Sequence, residues 1–283
     1  MDLKALTGYK FEPKVVRYTD RDVMLYALSL GVCQNPLDEN ELPFVYEKSL
    51  KTLPSISAVL AHPGPWVANP AFKINFVKLL HGEQRAEFFK PLPIEAEIRG
   101  EYKISAVLDK GDDKGALVYF DKLLFDNSSD EQLAKVTQVL FLRGDGGCGS
   151  YGEVPANLSA VPDRAPDFVE EVTTSKGAAL LYRLNGDRNL IHVDPDVAKK
   201  AGFSVPIAHG LWAYGICGFS VIRNALGYDP QKMTSLDLRF SSPVLPGETL
   251  VVEGWTTEGG TAFQATVKER NKLAISNGFV AVA

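Results

Sequence analysis

Apolar and polar positions along the chain follow two periods. The run AFQATVKER, Ala262–Arg270, alternates between them, the period of a strand with one wet face. Other runs are rich in Val, Leu, Phe, Thr or Tyr and bounded by Gly, Asp or Asn. They fall at 97–108, 116–126, 134–143, 235–240, 249–253 and 274–282, and each predicts a strand. Helical patterns are fewer. DRDVMLYALSLGV, Asp20–Val32, predicts a helix opened by an aspartate cap. His209–Gly227 is the longest apolar helix-compatible run. Its glycines at 210, 215 and 218 lower helix propensity but let neighbouring backbones come close. A long apolar helix followed by several antiparallel strands predicts an α+β fold, with a sheet wrapped around a buried helix.

The pattern breaks at 143–168, rich in Gly, Pro, Asn and Asp, which predicts a linker. It divides the 283 residues nearly in half, leaving one unit over 1–150 and another over 166–283. The halves share an order of features. LLHGEQ (Leu79–Gln84) then FKPLPIEAEI (Phe89–Ile98) in the first answer to IAHGLWAYG (Ile207–Gly215) then FSSPVLPGETLVVEGW (Phe240–Trp255) in the second. Each half thus offers a His-Gly, a Pro-containing turn and a strand, which with the central linker suggests two copies of one fold.

Composition narrows the function more than the fold. Net charge is −5 with Lys and Arg dispersed, so no basic patch calls for nucleic acid. Three cysteines without metal-ligand spacing predict neither a metal site nor a disulfide framework, and suit a reducing, cytoplasm-like compartment. The first residues, MDLKALTGYKFEPK, lack the apolar run of a signal peptide, and no stretch reaches 18 apolar residues, so no membrane span is expected. The ending FVAVA is not an SKL-type peroxisomal address. Small molecules or a second copy of the chain are the expected partners.

One stretch carries candidate chemistry: YRLNGDRNLIHVDPDVAKKAGFSVPIAHG, Tyr182–Gly210. Taken singly, Asp187 after Asn185-Gly186 is an ordinary turn aspartate, Asn189 an ordinary turn residue, and His192 a cap for the Asp194-Pro195 turn. Together, the apolar pair Leu190-Ile191 between them would anchor the loop inward and let Asp187, Asn189 and His192 converge. An Asp beside a His can take a proton from water and return one. Asn189 can orient water without titrating. Gly210 opens the long helix, where unpaired N–H groups could receive a developing oxyanion; a glycine merely tolerated at a helix start fits equally well.

The same stretch resembles the hydratase 2 motif of the MaoC-like (R)-specific enoyl-CoA hydratases, Y-R-L-S-G-D-x-N-P-L-H-x-D-P followed by P-I-L-H-G-L. ELPFVYEKSLKTLPS, INFVKLLHGEQ, VLDKGD, LDLRFSSPVLPGETL and KLAISNGFV extend the likeness over nearly the whole chain, in the two-half, eukaryotic-type arrangement. The resemblance implies a tandem, double hot-dog fold, each half an antiparallel sheet around a long central helix. It implies a catalytic C-terminal half and an N-terminal half that makes room for bulky acyl chains. It makes Asp187 and His192 the acid/base pair, with Asn189 in support and the Gly210 N–H on the thioester oxygen, and gives Glu47 a further role. Substrate contacts fall on His81, Gly82, Lys110 and Phe240, with Gly186 at the loop itself; Arg188 is a candidate by position only, and a solvated loop charge fits it at least as well.

The implied reaction hydrates a trans-2-enoyl-CoA to the (3R)-3-hydroxyacyl-CoA, with no cofactor beyond the substrate's own coenzyme A and no metal. A homodimer in the cytoplasm is expected, or in the peroxisome for a eukaryotic source. Leu190 replaces the motif's proline, Asn185 its serine, and Trp212 and Tyr214 bring bulk after His-Gly, so the acyl chain is open. A hot-dog thioesterase and a non-catalytic acyl-CoA-binding subunit are the alternatives.

Overall fold

The computed structural model describes residues 1–283, the side chain of Phe76 excepted. Five α-helices are formed: α1 (Leu3–Thr7), α2 (Asp20–Ser29), α3 (Ala178–Tyr182), α4 (Pro195–Lys200) and α5 (Gly210–Asn224). The strands of the first half are β1 (Lys14–Tyr18), β2 (Leu79–Phe88), β3 (Ala96–Asp109), β4 (Ala116–Asp126) and β5 (Gln132–Leu142). Those of the second are β6 (Phe168–Thr173), β7 (Met233–Phe240), β8 (Thr249–Thr257), β9 (Gly260–Val267) and β10 (Lys272–Val282).

All ten strands join one antiparallel sheet in the order β1-β3-β4-β5-β2-β7-β10-β9-β8-β6. That order reads alike from both ends, since β1 to β5 take the places that β6 to β10 take in the other half. The halves meet at β2 and β7, with Glu83 opposite Arg239 and Glu87 opposite Ser235. On the outer face of this seam the Glu83 carboxylate accepts hydrogen bonds from both Arg85 and Arg239, at 2.6 and 2.7 Å.

Strand formation follows the alternation. Along β3, Ile98, Gly100, Tyr102 and Ile104 are buried while the residues between them are more open. Helix α5 is apolar on every side and buried from Leu211 to Ile222, as a helix enclosed by a sheet must be. Its glycines are contact points. A Cβ on Gly215 would stand 2.8 Å from the Tyr26 hydroxyl of α2 and 2.7 Å from Leu30 just after it, and one on Gly218 would stand 2.7 Å from Leu236 of β7.

Several expectations are corrected. A long central helix crosses the sheet in the C-terminal half alone. Its place in the N-terminal half is taken by a short 3-10 helix, Pro54–Ala58, and the irregular chain after it. The two His-Gly dipeptides are not counterparts. His81-Gly82 lies inside β2, whose partner by position is β7, whereas His209-Gly210 begins α5. The Pro-containing turns do correspond, joining β2 to β3 and β7 to β8. Helix α2 is capped by Thr19, whose N–H donates to Asp22 at 2.9 Å, and not by Asp20. The segment between β5 and β6 has no regular strand or helix, yet it is strapped down. Asp109 accepts the N–H groups of Gly147 and Gly149, Arg85 donates to the Ala156 carbonyl, and Asn277 to that of Ser159.

Candidate active site

Three successive turns shape the loop ahead of α5. Gly186, at φ 116°, ends the turn after α3 in a left-handed conformation closed to most side chains. The Asp187 carboxylate then accepts the Asn189 N–H at 3.1 Å, and the Asn189 side-chain oxygen accepts the Ile191 N–H at 3.2 Å. Asn189 thereby caps the 3-10 turn Leu190–His192. Asp194 caps α4, with Pro195 at its first position, where the missing N–H costs nothing. The chain returns past Ile207, whose N–H bonds back to the Ile191 carbonyl, and enters α5.

These turns bring Asp187, His192 and His209 together, one ligating atom of each lying within 4.8 Å of the others. His192 Nδ1 is 2.9 Å from the Ile207 carbonyl oxygen. A carbonyl only accepts, so Nδ1 carries the proton and Nε2 is left as a free base. By the same reasoning His209 Nε2 donates to the Asp187 carbonyl, at 3.3 Å, and leaves a buried Nδ1 without a partner. The two imidazoles stack at 3.8 Å between centroids, and Tyr182 packs against His209 at 5.0 Å.

Electrostatics keep the rings neutral. Burial, and then the adjacent His192, pull His209 down to about 4. Burial pulls His81 to about 4 and lowers His192, and burial disfavours the charged ring in each case. The charge of Asp187 acts in the opposite sense on all four histidines of the chain, His62 and His81 included. Two neutral imidazoles and a carboxylate at this spacing suit a water molecule. They could equally ligate a metal ion.

Gly210 is exposed at the start of α5. A Cβ there would press on the Phe240 ring at 3.3 Å. Phe240 in turn meets His81 edge-on at 4.8 Å. Beside it, Gly82 is the extra residue of a β-bulge between His81, opposite Leu140, and Glu83, opposite Val139. A Cβ on Gly82 would lie 3.8 Å from that of Phe141, over whose ring Lys110 sits at 5.2 Å. Gly210, Phe240 and His81 are thus in successive contact with Gly82 next along β2, while Lys110 is exposed over Phe141. Gly186 and Arg188 are exposed beside Asp187.

Glu47 is the exception. It is exposed at the start of a 3-10 turn and takes no part in the contacts that join the cluster. The buried glutamate of that region is Glu41, whose carboxylate holds the Cys33 N–H and Arg223. Asn189 spends its oxygen on the turn, which makes it a shaping residue first. Sequence reasoning named His209 only together with Gly210 as part of the site, and did not single out Tyr182 or His62. For His209 the signal was present in its place before Gly210; nothing local marks the other two.

Residues 16–144 match the family model for the MFE-2 hydratase 2 N-terminal domain, and residues 157–278 that for the MaoC like domain. A peroxisomal enoyl-CoA hydratase 2 of Arabidopsis thaliana is 35% identical, over 97% of this chain and 93% of that protein. A probable enoyl-CoA hydratase 2 of Dictyostelium discoideum is 34% identical, over 98% and 95%. Among solved structures, a MaoC-like dehydratase from Phytophthora capsici superposes with a TM-score of 0.88 at 31% identity, over 100% of this chain and 99% of that one. A chain that matches both half-models in order, and full-length relatives end to end, belongs to the two-half, MaoC-like hydratase 2 family.

Proposed function

We propose that the protein is an (R)-specific enoyl-CoA hydratase, a hydro-lyase that adds water reversibly to a trans-2-enoyl-CoA. The observation that carries this reading is the meeting of Asp187 with His192, a ring whose Nε2 is left unprotonated, beside the open N-terminus of α5. In this reading the second half, 166–283, does the chemistry, and the first half, 1–150, helps to hold the thioester. A water lies between Asp187 and His192. His192 Nε2 removes its proton as the oxygen bonds to C3, and Asp187 holds the water and then faces the imidazolium. Charge shifts to the thioester oxygen, which the Gly210 N–H receives at the positive end of α5. The Asp187–His192 pair then returns a proton to C2 on the same face, which restores the neutral imidazole and gives the (3R)-alcohol. Lys110, exposed over Phe141, would meet a coenzyme A phosphate in this reading. Only protons move, so the route calls on no redox cofactor and no metal.

The test is loss of the conjugated enoyl absorbance with crotonyl-CoA. Asp187→Asn and His192→Ala should each lower kcat by roughly 10²–10⁴-fold with circular dichroism unchanged. Turnover retained by both variants excludes this site. Release of free coenzyme A thiol in place of a hydroxyacyl product identifies a thioesterase instead.

A further inference from the structure

The inner face of the N-terminal sheet lies next to the proposed catalytic cluster, and no long helix covers it. His81 of β2 makes the junction, through Phe240 to Gly210. Further along the same face His62 and Pro63 line a cavity against the sheet. The rest of that lining is Ala58, Phe120, Lys122, Val136 and Gln138, and the space is about 10 Å³, room for about one water molecule.

Two devices close it. Lys122 of β4 is buried, and its Nζ donates to the carbonyls of Ser57, Ala58 and Leu60 at 2.8, 3.0 and 2.6 Å. One ammonium thus ties the end of the 3-10 segment to the sheet with three charge-assisted hydrogen bonds. Beyond it, Trp66 stacks on Phe120 at 4.6 Å, and Phe120 on Tyr102 at 6.0 Å. The floor is also polar. Gln138 stands opposite Gln84, which is fully buried with its side-chain oxygen unpartnered. A methylene chain laid there would displace the segment and desolvate amides without pairing them.

Resting on the hydratase reading above, we infer that Lys122 and Trp66 close the N-terminal half to long acyl tails and make this a short-chain, crotonyl-sized site. The expectation that this half makes room for bulky chains is reversed for this chain by its own lysine and tryptophan.

The test uses saturated thioesters, which cannot be hydrated, so it reads acyl binding whether or not the protein turns over enoyl-CoA. Affinities of butyryl-, hexanoyl- and decanoyl-CoA are measured by calorimetry for the wild type, Lys122→Met and Trp66→Ala. A tail entering an open apolar pocket tightens binding by about four-fold per methylene. The wild type should gain nothing from butyryl to decanoyl. Lys122→Met, of similar length but without the donor, should bind decanoyl-CoA at least about ten-fold more tightly than butyryl-CoA. Trp66→Ala should change the profile in the same direction, and it retains the lysine clamp if Lys122→Met fails to fold. A wild type whose affinity climbs steadily to decanoyl overturns the inference, as do folded variants whose profiles stay flat. Failure to hydrate crotonyl-CoA, with the binding profiles as expected, counts against the hydratase reading alone.

Discussion

At the residue scale, His209 shows how a side chain outside the motif's acid/base pair can set that pair's geometry. Its Nε2–H holds the backbone of Asp187, and its ring supports that of His192. His209→Phe keeps the stacking surface and removes the donor. It should lower kcat on the order of ten- to a hundred-fold while KM stays near the wild-type value, because the loss is one of alignment. His209→Gln, which restores an N–H donor, should recover most of the rate. Equal kcat in wild type and His209→Phe would remove His209 from this role. The histidine signal in the sequence was partial. Asp187 and His192 were legible from their spacing across Leu190-Ile191. Nothing in the local pattern tells that His81, more than a hundred residues earlier, comes to lie against Phe240 beside Gly210.

At the element scale, legibility follows burial. Most strands were read close to their ends, β4 at both although Val118–Lys122 are buried in succession. Strand β6 was not, because it lies at a sheet edge with neither face fully buried, so FVEEVT shows no apolar period. Strand β2 was missed for the opposite reason. It is central, and its bulge at Gly82 interrupts the alternation, leaving Glu83 and Gln84 both buried in succession. Helix α5 was legible from its apolar length and its glycines as points of close approach, but the approach is made by the side chains of Tyr26, Leu30 and Leu236 and not by backbone. Gly215→Ala should lower stability by about 1–3 kcal/mol in urea unfolding, despite the better helix propensity of alanine. The new methyl would press on Tyr26 and Leu30, and the phenol cannot retreat within the core. A more stable variant would show that α2 yields to the contact.

At the scale of the whole molecule, stability should depend on the buried imidazoles. His81 and His209 sit near 4 in the folded protein, against about 6.5 in an unfolded chain. Between those values the unfolded chain binds more protons, so folding stability is full above about 6.5 and falls progressively as the pH drops toward 4. Each ring contributes on the order of 3 kcal/mol by pH 4. The melting temperature should therefore fall across that window, and more gently in His209→Phe. A melting temperature flat from pH 6.5 to 4 would mean that the rings reach solvent in the folded state.

Local order was in the sequence: the strand and helix periods, the turn-rich break near the middle, and an Asp and a His held apart by two apolar residues. These depend on neighbours a few positions away, and short-range sterics and burial period encode them directly. Tertiary structure alone decided the rest. It fused the halves into one sheet along β2 and β7, left a single long helix inside it, brought His209 to Asp187 and His192 and shut the N-terminal face with Lys122. Those contacts join residues far apart along the chain, and they form only because an antiparallel sheet buries one face and brings whatever stands on it together.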